Sequence, residues 1–242
     1  MLRTAGIHHL TAWGSDVQAV VDFYAGLLGL RLMKQTVHFE MPDMYHLYFG
    51  SKHGESGAII SFLVKEGMKD GRLGGGQVGV TVLAVPRGSM LYWRSRLKKF
   101  GIEFMETRRF GEDYVRFTDN SGLLIDLVER DSVGRHAADP DEGVPAAYAI
   151  QGLDGVILFS KKPDQTAAIL EQIIGLEGGY HEEGLVRYRI EGKGTPSSSI
   201  DISTDSILGG LSGAGVVQHL AWRTTDSKEQ TSWQDKLEEY GF

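Results

Sequence analysis

Two short apolar stretches, one near each end of the sequence, carry a histidine at the same place before a helix signal. Residues 6–11 read GIHHLT, and residues 216–221 read VVQHLA. Both have the length and apolar character of a β-strand. Imidazole nitrogens coordinate divalent transition metals, so His9 and His219 are the residues whose type and position point to metal chemistry.

These two stretches belong to an internal repeat. Each of four segments begins with a strand-like run and continues into a helix that ends at a Gly about twenty residues later. The strand-like runs are anchored at His9, Val80, Gly155 and His219. Further strand-like pieces follow the closing Gly, so a unit reads strand, helix and three strands. The sequence therefore predicts an α+β fold made of repeated βαβββ modules.

The predicted modules span residues 1–66, 77–130, 150–204 and 215–242. A polar segment, residues 131–144, is the predicted boundary between the two halves of the chain. The fourth module contains only its strand and helix, so roughly 40 to 50 further residues are expected beyond Phe242. We expect modules one and four to pack side by side with His9 and His219 facing each other, and modules two and three to enclose a second cleft.

The composition excludes several classes of function. The 242-residue chain has 41% hydrophobic residues and a formal net charge of -7, which argues against a nucleic-acid partner. No apolar run approaches the roughly 18 residues of a membrane span, and no long apolar signal segment begins the chain, so we expect a cytoplasmic protein without membrane contact. Cysteine is absent, so a metal would be held by imidazoles and carboxylates.

Strand alternation sorts the residues around the two candidate ligands. Side chains two residues apart share a face of a strand, so Thr11 should lie beside His9. His8 should point to the other face, where it would support a ligand or lie at an interface and would not bind the metal itself. The equivalent place in modules two and three holds Val80 and Gly155, which cannot coordinate a metal. The sequence therefore predicts one histidine site and not two.

For a single histidine, a structural or surface role is the more common interpretation. That interpretation is kept for His38 and His46, which lie in predicted strands, and no role is assigned to the histidines in predicted turns, which are His53, His136 and His181. His9 and His219 differ because they occupy one place in a repeat.

Two imidazoles leave a metal site incomplete. Two histidines and one carboxylate, with open positions, form the arrangement suited to non-haem Fe(II) and O₂. The closing strands of modules two and three carry Asp126 and Asp201, whereas module one has Ser61 there, so the third ligand is expected beyond Phe242. Asp126, Asp201 and Asp154 could instead form a carboxylate site for Ca²⁺ or Mg²⁺, although pairing of each Asp with an Arg is the more common arrangement.

The motifs together resemble those of the vicinal oxygen chelate superfamily, and within it the hydroquinone-type ring-cleaving dioxygenases. The matching segments are residues 6–11 (GIHHLT), 22–24 (DFY), 28–30 (LGL), 45–48 (YHLY) and 109–112 (RFGE). The resemblance implies that the protein, in a complete form that includes the third ligand, is an enzyme with an Fe(II) cofactor. Such an enzyme would cleave a small aromatic diol, a hydroquinone or catechol, with O₂.

The resemblance also implies roles for individual residues. It makes His9 and His219 the iron ligands, together with a Glu that has no counterpart in this sequence. It gives active-site roles to Thr11 and to the residue before each ligand, His8 and Gln218. Gln218 replaces a histidine of that pattern, and an amide cannot move a proton near neutral pH as an imidazole can.

Two other functions fit the same sequence. A metal-dependent isomerase or lyase of the same module type would use a divalent ion to polarise an enediolate, and it would not consume oxygen. A metal-free protein could instead sequester an aromatic ligand in the cleft between modules. Metal that the protein retains and that a His9→Ala variant loses would argue against this last function. Whether the chain forms a homo-oligomer is left open.

Overall fold

The computed structural model describes residues 2–50, 57–131, 143–190, 198–205 and 207–241. In the first module these residues form β1 (Ile7–Gly14), α1 (Val17–Val21, continued by a π-helical turn at Asp22–Leu27), β2 (Arg31–Val37), β3 (Tyr45–Gly50) and β4 (Ile59–Val64). The second contains β5 (Gln77–Pro86), α2 (Met90–Lys99), β6 (Phe104–Arg109), β7 (Glu112–Thr118) and β8 (Leu124–Arg130).

The second half of the chain repeats this order of elements. After a short 3₁₀ turn at Ala146–Tyr148 come β9 (Gly152–Phe159), α3 (Pro163–Ile169, continued by a π-helical turn at Leu170–Ile174), β10 (Glu177–Glu182), β11 (Leu185–Ile190) and β12 (Ser198–Ser203). The last elements are β13 (Val217–Trp222) and α4 (Ser227–Glu239). The fold is α+β, as predicted, and the module boundaries stay a prediction.

The strands of the described residues form two sheets. One has the order β13-β1-β4-β3-β2, and the other has the order β10-β11-β12-β9-β5-β8-β7-β6. Strand β1 is therefore the antiparallel neighbour of β13, just as β5 is the antiparallel neighbour of β9. These strand orders confirm that the first and last modules pair with each other and that the second pairs with the third.

Strand β10 is an element that the sequence pattern did not predict, so His181 lies in a strand and not in a turn. Its residues read EGGYHE, which has neither apolar alternation nor a β-branched residue. The strand forms because it pairs with β11 at the edge of the eight-stranded sheet. Tertiary pairing has here overridden a weak local preference.

Helix α1 shows how local sequence and packing agree. The Asp16 carboxylate accepts a hydrogen bond of 2.9 Å from the backbone N–H of Ala19 and so caps the helix. The buried face carries Val20 and Tyr24, and the Tyr24 hydroxyl donates to Asp119 at 3.0 Å. This contact ties the first module to the turn before β8.

Most buried apolar side chains of the described residues, from both sheets, form one main core, and Val82, Tyr114 and Val128 form a small separate cluster. The main core includes Leu10 of β1, Phe62 of β4, Leu127 of β8 and Trp233 of α4. Within the part of the chain that the structure describes, no helix combines the length and apolarity that a membrane span requires. The core holds the two sheets together. Strands β1 and β13 pack against it with their apolar residues, and they also carry the candidate site.

Candidate metal centre

His9 and His219 lie on neighbouring strands, and two β-bulges set the direction of their side chains. The register between β1 and β13 shifts once between Ile7 and His9, where His8 is the extra residue, and again on β13, where the extra residue is Gln218. A bulge bends its strand and re-aims nearby side chains. Each candidate ligand therefore follows a bulge residue.

The two imidazole rings face each other across one gap. The Nε2 atoms of His9 and His219 are 2.9 Å apart, and the ring planes cross at 84°. The prediction that these side chains face each other is confirmed. Two nitrogens that bind one ion at a right angle, each about 2.1 Å away, are about 3.0 Å apart. The pair therefore has the spacing of two adjacent ligands of one metal ion.

The residue before each candidate ligand holds that ligand at its other ring nitrogen. Nδ1 of His8 lies 2.8 Å from Nδ1 of His9, and Oε1 of Gln218 contacts Nδ1 of His219. An amide oxygen only accepts hydrogen bonds, so His219 carries its proton on Nδ1 and keeps the Nε2 lone pair free. This second contact is typical of metal-binding histidines.

These contacts correct the expectation that His8 points away from His9. The bulge at His8 interrupts strand alternation and brings both rings to one side, with centroids 5.0 Å apart. The contacts also explain why Gln218 can stand where a histidine was expected. Accepting the Nδ1 proton of the next residue requires a lone pair and no proton transfer, and an amide oxygen supplies that lone pair.

Burial and neighbouring rings keep both candidate ligands neutral. Desolvation, followed by repulsion from His219, His8 and His46, lowers the pKa of His9 to about 4. Burial also lowers the pKa of His219. Neutral imidazole is the form that coordinates a metal, so the pair can bind a divalent cation near neutral pH without first losing protons.

The described residues supply only part of a metal site. No third His, Asp or Glu among them joins the pair to form a three-residue metal group. The two imidazoles fit a divalent ion at two adjacent positions, and imidazole ligands suit Fe, Zn, Cu and Ni alike. His9 and His219 therefore remain candidate ligands, and their chemistry does not select one metal.

Thr11 lies beside the pair, as strand alternation predicts, and it is buried. Its hydroxyl is 3.1 Å from Nε2 of His219 and 2.8 Å from the Ser61 hydroxyl. Ser61 in turn lies 3.2 Å from Nε2 of His46. Ser61 and His46 were not predicted as site residues, because only the parallel pairing of β1 with β4 places Ser61 opposite Thr11.

The other histidines lie apart from this group or outside the described residues. Nδ1 of His38 accepts hydrogen bonds of 3.2 Å from the backbone N–H groups of Glu40 and Met41, which stabilises the turn after β2. His38 therefore has a structural role, as predicted, but it lies one residue after β2 and not in a strand. His53 and His136 lie outside the described residues, as does most of the predicted boundary segment.

In the second sheet, Val80 of β5 and Gly155 of β9 occupy the places of His9 and His219, so no imidazole is present there. The register shifts there at Gly79 and at Asp154, the places that correspond to His8 and Gln218. Val80 is buried, and a side chain at Gly155 is excluded because its Cβ would lie 1.9 Å from the Ser199 carbonyl oxygen. The second cleft is therefore closed to a histidine ligand at that position.

The buried carboxylates of the second cleft bind arginines and not a metal ion. Asp126 pairs with Arg109 and Arg116, both at 2.7 Å. Asp201 lies 2.6 Å from Arg187 and 3.0 Å from Arg109. Asp154 likewise pairs with Arg130 at 2.8 Å. The hypothesis of a Ca²⁺ or Mg²⁺ site is wrong, because guanidinium groups already neutralise these carboxylates.

Low pH should destabilise the metal-free protein. The pKa of His9 and that of His46 are both lowered to about 4 from 6.5. The unfolded state therefore binds more protons between these values, and the free energy of unfolding should fall as the pH falls through this window. Urea unfolding near pH 7 and near pH 5 measures the change. A His9→Gln, His46→Gln variant should show a smaller fall, and an equal fall would contradict the assignment.

Comparison with known proteins places the chain in a superfamily. Residues 6–127 match the Glyoxalase/Bleomycin resistance protein/Dioxygenase superfamily, and the chain belongs to it. Glyoxalase I from Zea mays shares the fold, with a TM-score of 0.69 at 12% identity over 96% of this chain and 78% of that one. At that identity the likeness concerns the fold alone.

Several relatives in this superfamily are named for ring cleavage. MhqO of Bacillus subtilis (strain 168), named as a candidate ring-cleaving dioxygenase, is 45% identical over 240 residues, which are 99% of this chain and 76% of MhqO. The chlorohydroquinone/hydroquinone 1,2-dioxygenase of Sphingobium indicum is 27% identical over 99% of this chain and 77% of that enzyme. The crystal structure of a candidate dioxygenase from Bacillus subtilis has a TM-score of 0.93 at 44% identity and covers 100% of this chain and 77% of that one.

Proposed function

We propose that this protein is an Fe(II)-dependent dioxygenase that cleaves the ring of a hydroquinone or catechol with O₂. The observation that carries the proposal is the pair of neutral imidazoles, His9 and His219, whose Nε2 atoms lie 2.9 Å apart. A site with two imidazoles and open positions suits non-haem iron and oxygen chemistry. The names of the relatives support the substrate class.

The protein's part in this chemistry is to hold and orient. Fe(II), when bound, would supply the means to bring a substrate hydroxyl and O₂ together and to pass electrons between them. His9 and His219 would hold it through Nε2. His8 and Gln218 would accept the Nδ1 protons of these ligands. This fixes the ring orientations and makes Nε2 of each imidazole a stronger electron-pair donor to the metal. The Thr11 hydroxyl oxygen would accept a hydrogen bond from a substrate hydroxyl beside His219.

A cavity beside His219 suits a small aromatic ring. Its volume is about 310 Å³. Val78, Leu158, Phe159 and Val217 supply apolar walls, and the polar groups are Gln77, Ser160, Thr166, Gln218 and His219. Apolar walls with a few polar groups at one end are typical of small-molecule sites. A ring packed against the apolar side chains would lie beside His219.

Oxygen uptake with a hydroquinone tests the proposal. Protein loaded with Fe(II) without air should consume O₂ only when the diol is added, and the product should gain both oxygen atoms of ¹⁸O₂. His9→Ala should lose this activity, and His181→Ala, on the exposed strand β10, should keep it. Conversion of substrate without oxygen uptake would indicate an isomerase or lyase. Binding of the diol without metal or conversion would indicate a sequestering protein.

A further inference from the structure

A line of hydrogen bonds runs from His219 on β13 through β1 and β4 to β3. The Thr11 hydroxyl is 3.1 Å from Nε2 of His219 and 2.8 Å from the Ser61 hydroxyl. Ser61 lies 3.2 Å from Nε2 of His46, and Nδ1 of His46 lies 2.9 Å from the Tyr48 hydroxyl. Thr11 and Ser61 are buried, whereas His46 and Tyr48 are partly exposed.

The single proton of the Thr11 hydroxyl has two neighbours that can accept it. One is Nε2 of His219, which keeps a lone pair because Gln218 accepts the Nδ1 proton. A proton donated there would occupy the lone pair that a metal needs. The other acceptor is the Ser61 oxygen, and a proton donated to it leaves the lone pair of His219 free.

Ser61 can accept that proton readily if it donates its own proton elsewhere. Its other neighbour in the line is Nε2 of His46. His46 is neutral, since its pKa is lowered to about 4, and so it has one protonated and one accepting nitrogen. When Nδ1 donates to the Tyr48 hydroxyl, Nε2 accepts from Ser61. Tyr48 can then donate its own proton to solvent, and every group in the line donates outwards.

We infer that Ser61, supported by His46 and Tyr48, is a positioning residue that accepts the Thr11 proton and keeps Nε2 of His219 free to bind a metal ion. The role rests on the proposed function, since it needs a metal at His9 and His219. It acts through Thr11 and requires no contact of Ser61 with the metal or the substrate.

The second sheet supports a special role for this serine. Strand register places Ser61 opposite Thr11, and it places Asp126 opposite Val82 and Asp201 opposite Ile157. These Asp residues are paired with arginines in the two modules whose ligand position lacks an imidazole. In the module that carries His9, the same position holds a neutral hydroxyl that can both accept and donate a proton.

Metal affinity tests this role without measuring turnover. Wild-type protein and Ser61→Ala are titrated with Fe(II) in the absence of air, and with Co(II). Loss of the acceptor should turn the Thr11 proton towards His219 and weaken metal binding about fivefold to tenfold, the effect of one competing hydrogen bond. In a Thr11→Val background the hydroxyl is gone, and Ser61→Ala should change the affinity by less than about twofold.

Further variants separate this role from a general effect on folding. Ser203→Ala, a buried serine on β12, is the matched control and should leave metal affinity unchanged. If Ser61→Ala does not fold, His46→Phe takes its place. It should weaken metal binding by the same factor, and in a Thr11→Val background it should leave metal affinity nearly unchanged. An unchanged affinity in Ser61→Ala, or a weakening that Thr11→Val does not suppress, overturns the positioning role alone. Failure of wild-type protein to take up metal overturns the proposed function and the positioning role with it.

Discussion

Replacement of His9 or His219 with alanine should weaken Fe(II) binding by more than about 100-fold, since loss of an outer hydrogen-bond partner alone typically costs 10- to 100-fold. The two Nε2 atoms lie 2.9 Å apart, the spacing of two adjacent ligands of one ion. One remaining imidazole cannot hold the ion at two positions. Retained iron, counted after anaerobic loading and gel filtration, measures the effect.

Matched variants make this result specific. His8→Ala and Gln218→Ala should weaken iron binding by about 10- to 100-fold, because each removes the hydrogen-bond partner at a ligand's Nδ1. His181→Ala removes an exposed histidine of the other sheet and should have no effect. If His9→Ala retained as much iron as His181→Ala, the metal would be bound elsewhere and the proposed function would lose its main support.

The second large effect concerns stability. Asp201→Ala should lower the free energy of unfolding by about 3–5 kcal/mol, the usual cost of removing one partner of a buried ion pair. Asp201 contacts Arg187 at 2.6 Å and Arg109 at 3.0 Å, and all three side chains are at least 94% buried. Without the carboxylate, two guanidinium groups would stay inside the protein with less compensating charge. Urea unfolding monitored by tryptophan fluorescence gives the difference.

An exposed ion pair provides the control for this prediction. Asp113 contacts Arg108 at 2.5 Å, but both side chains are largely exposed, so Asp113→Ala should cost less than about 1 kcal/mol. Replacing Asp201 and Arg187 together with leucine and methionine should recover part of the loss, since no unpaired charge remains between them. Equal destabilisation by Asp201→Ala and Asp113→Ala would mean that the buried network contributes little.

The sequence by itself determined the large-scale arrangement. The repeated strand, helix and three-strand pattern predicted the α+β fold, and the shared position of His9 and His219 predicted which modules pair. The fold follows from local periodicity, because the spacing of apolar residues fixes which face of each element is buried. His9 and His219 occupy the same place in two copies of the unit. They come together because the first strands of those copies, β1 and β13, pair with each other.

Only the tertiary structure decided the details of the site. The bulges at His8 and Gln218, and the placement of Ser61 opposite Thr11, depend on the register between strands that are far apart in sequence. A shift of one residue turns a side chain to the other face, and no local pattern records where a bulge occurs. The pairing of Asp201 with Arg187 and Arg109 likewise required the positions of three strands in one sheet. The chemistry of each residue was therefore evident from its type, whereas its partner was set by cross-strand register.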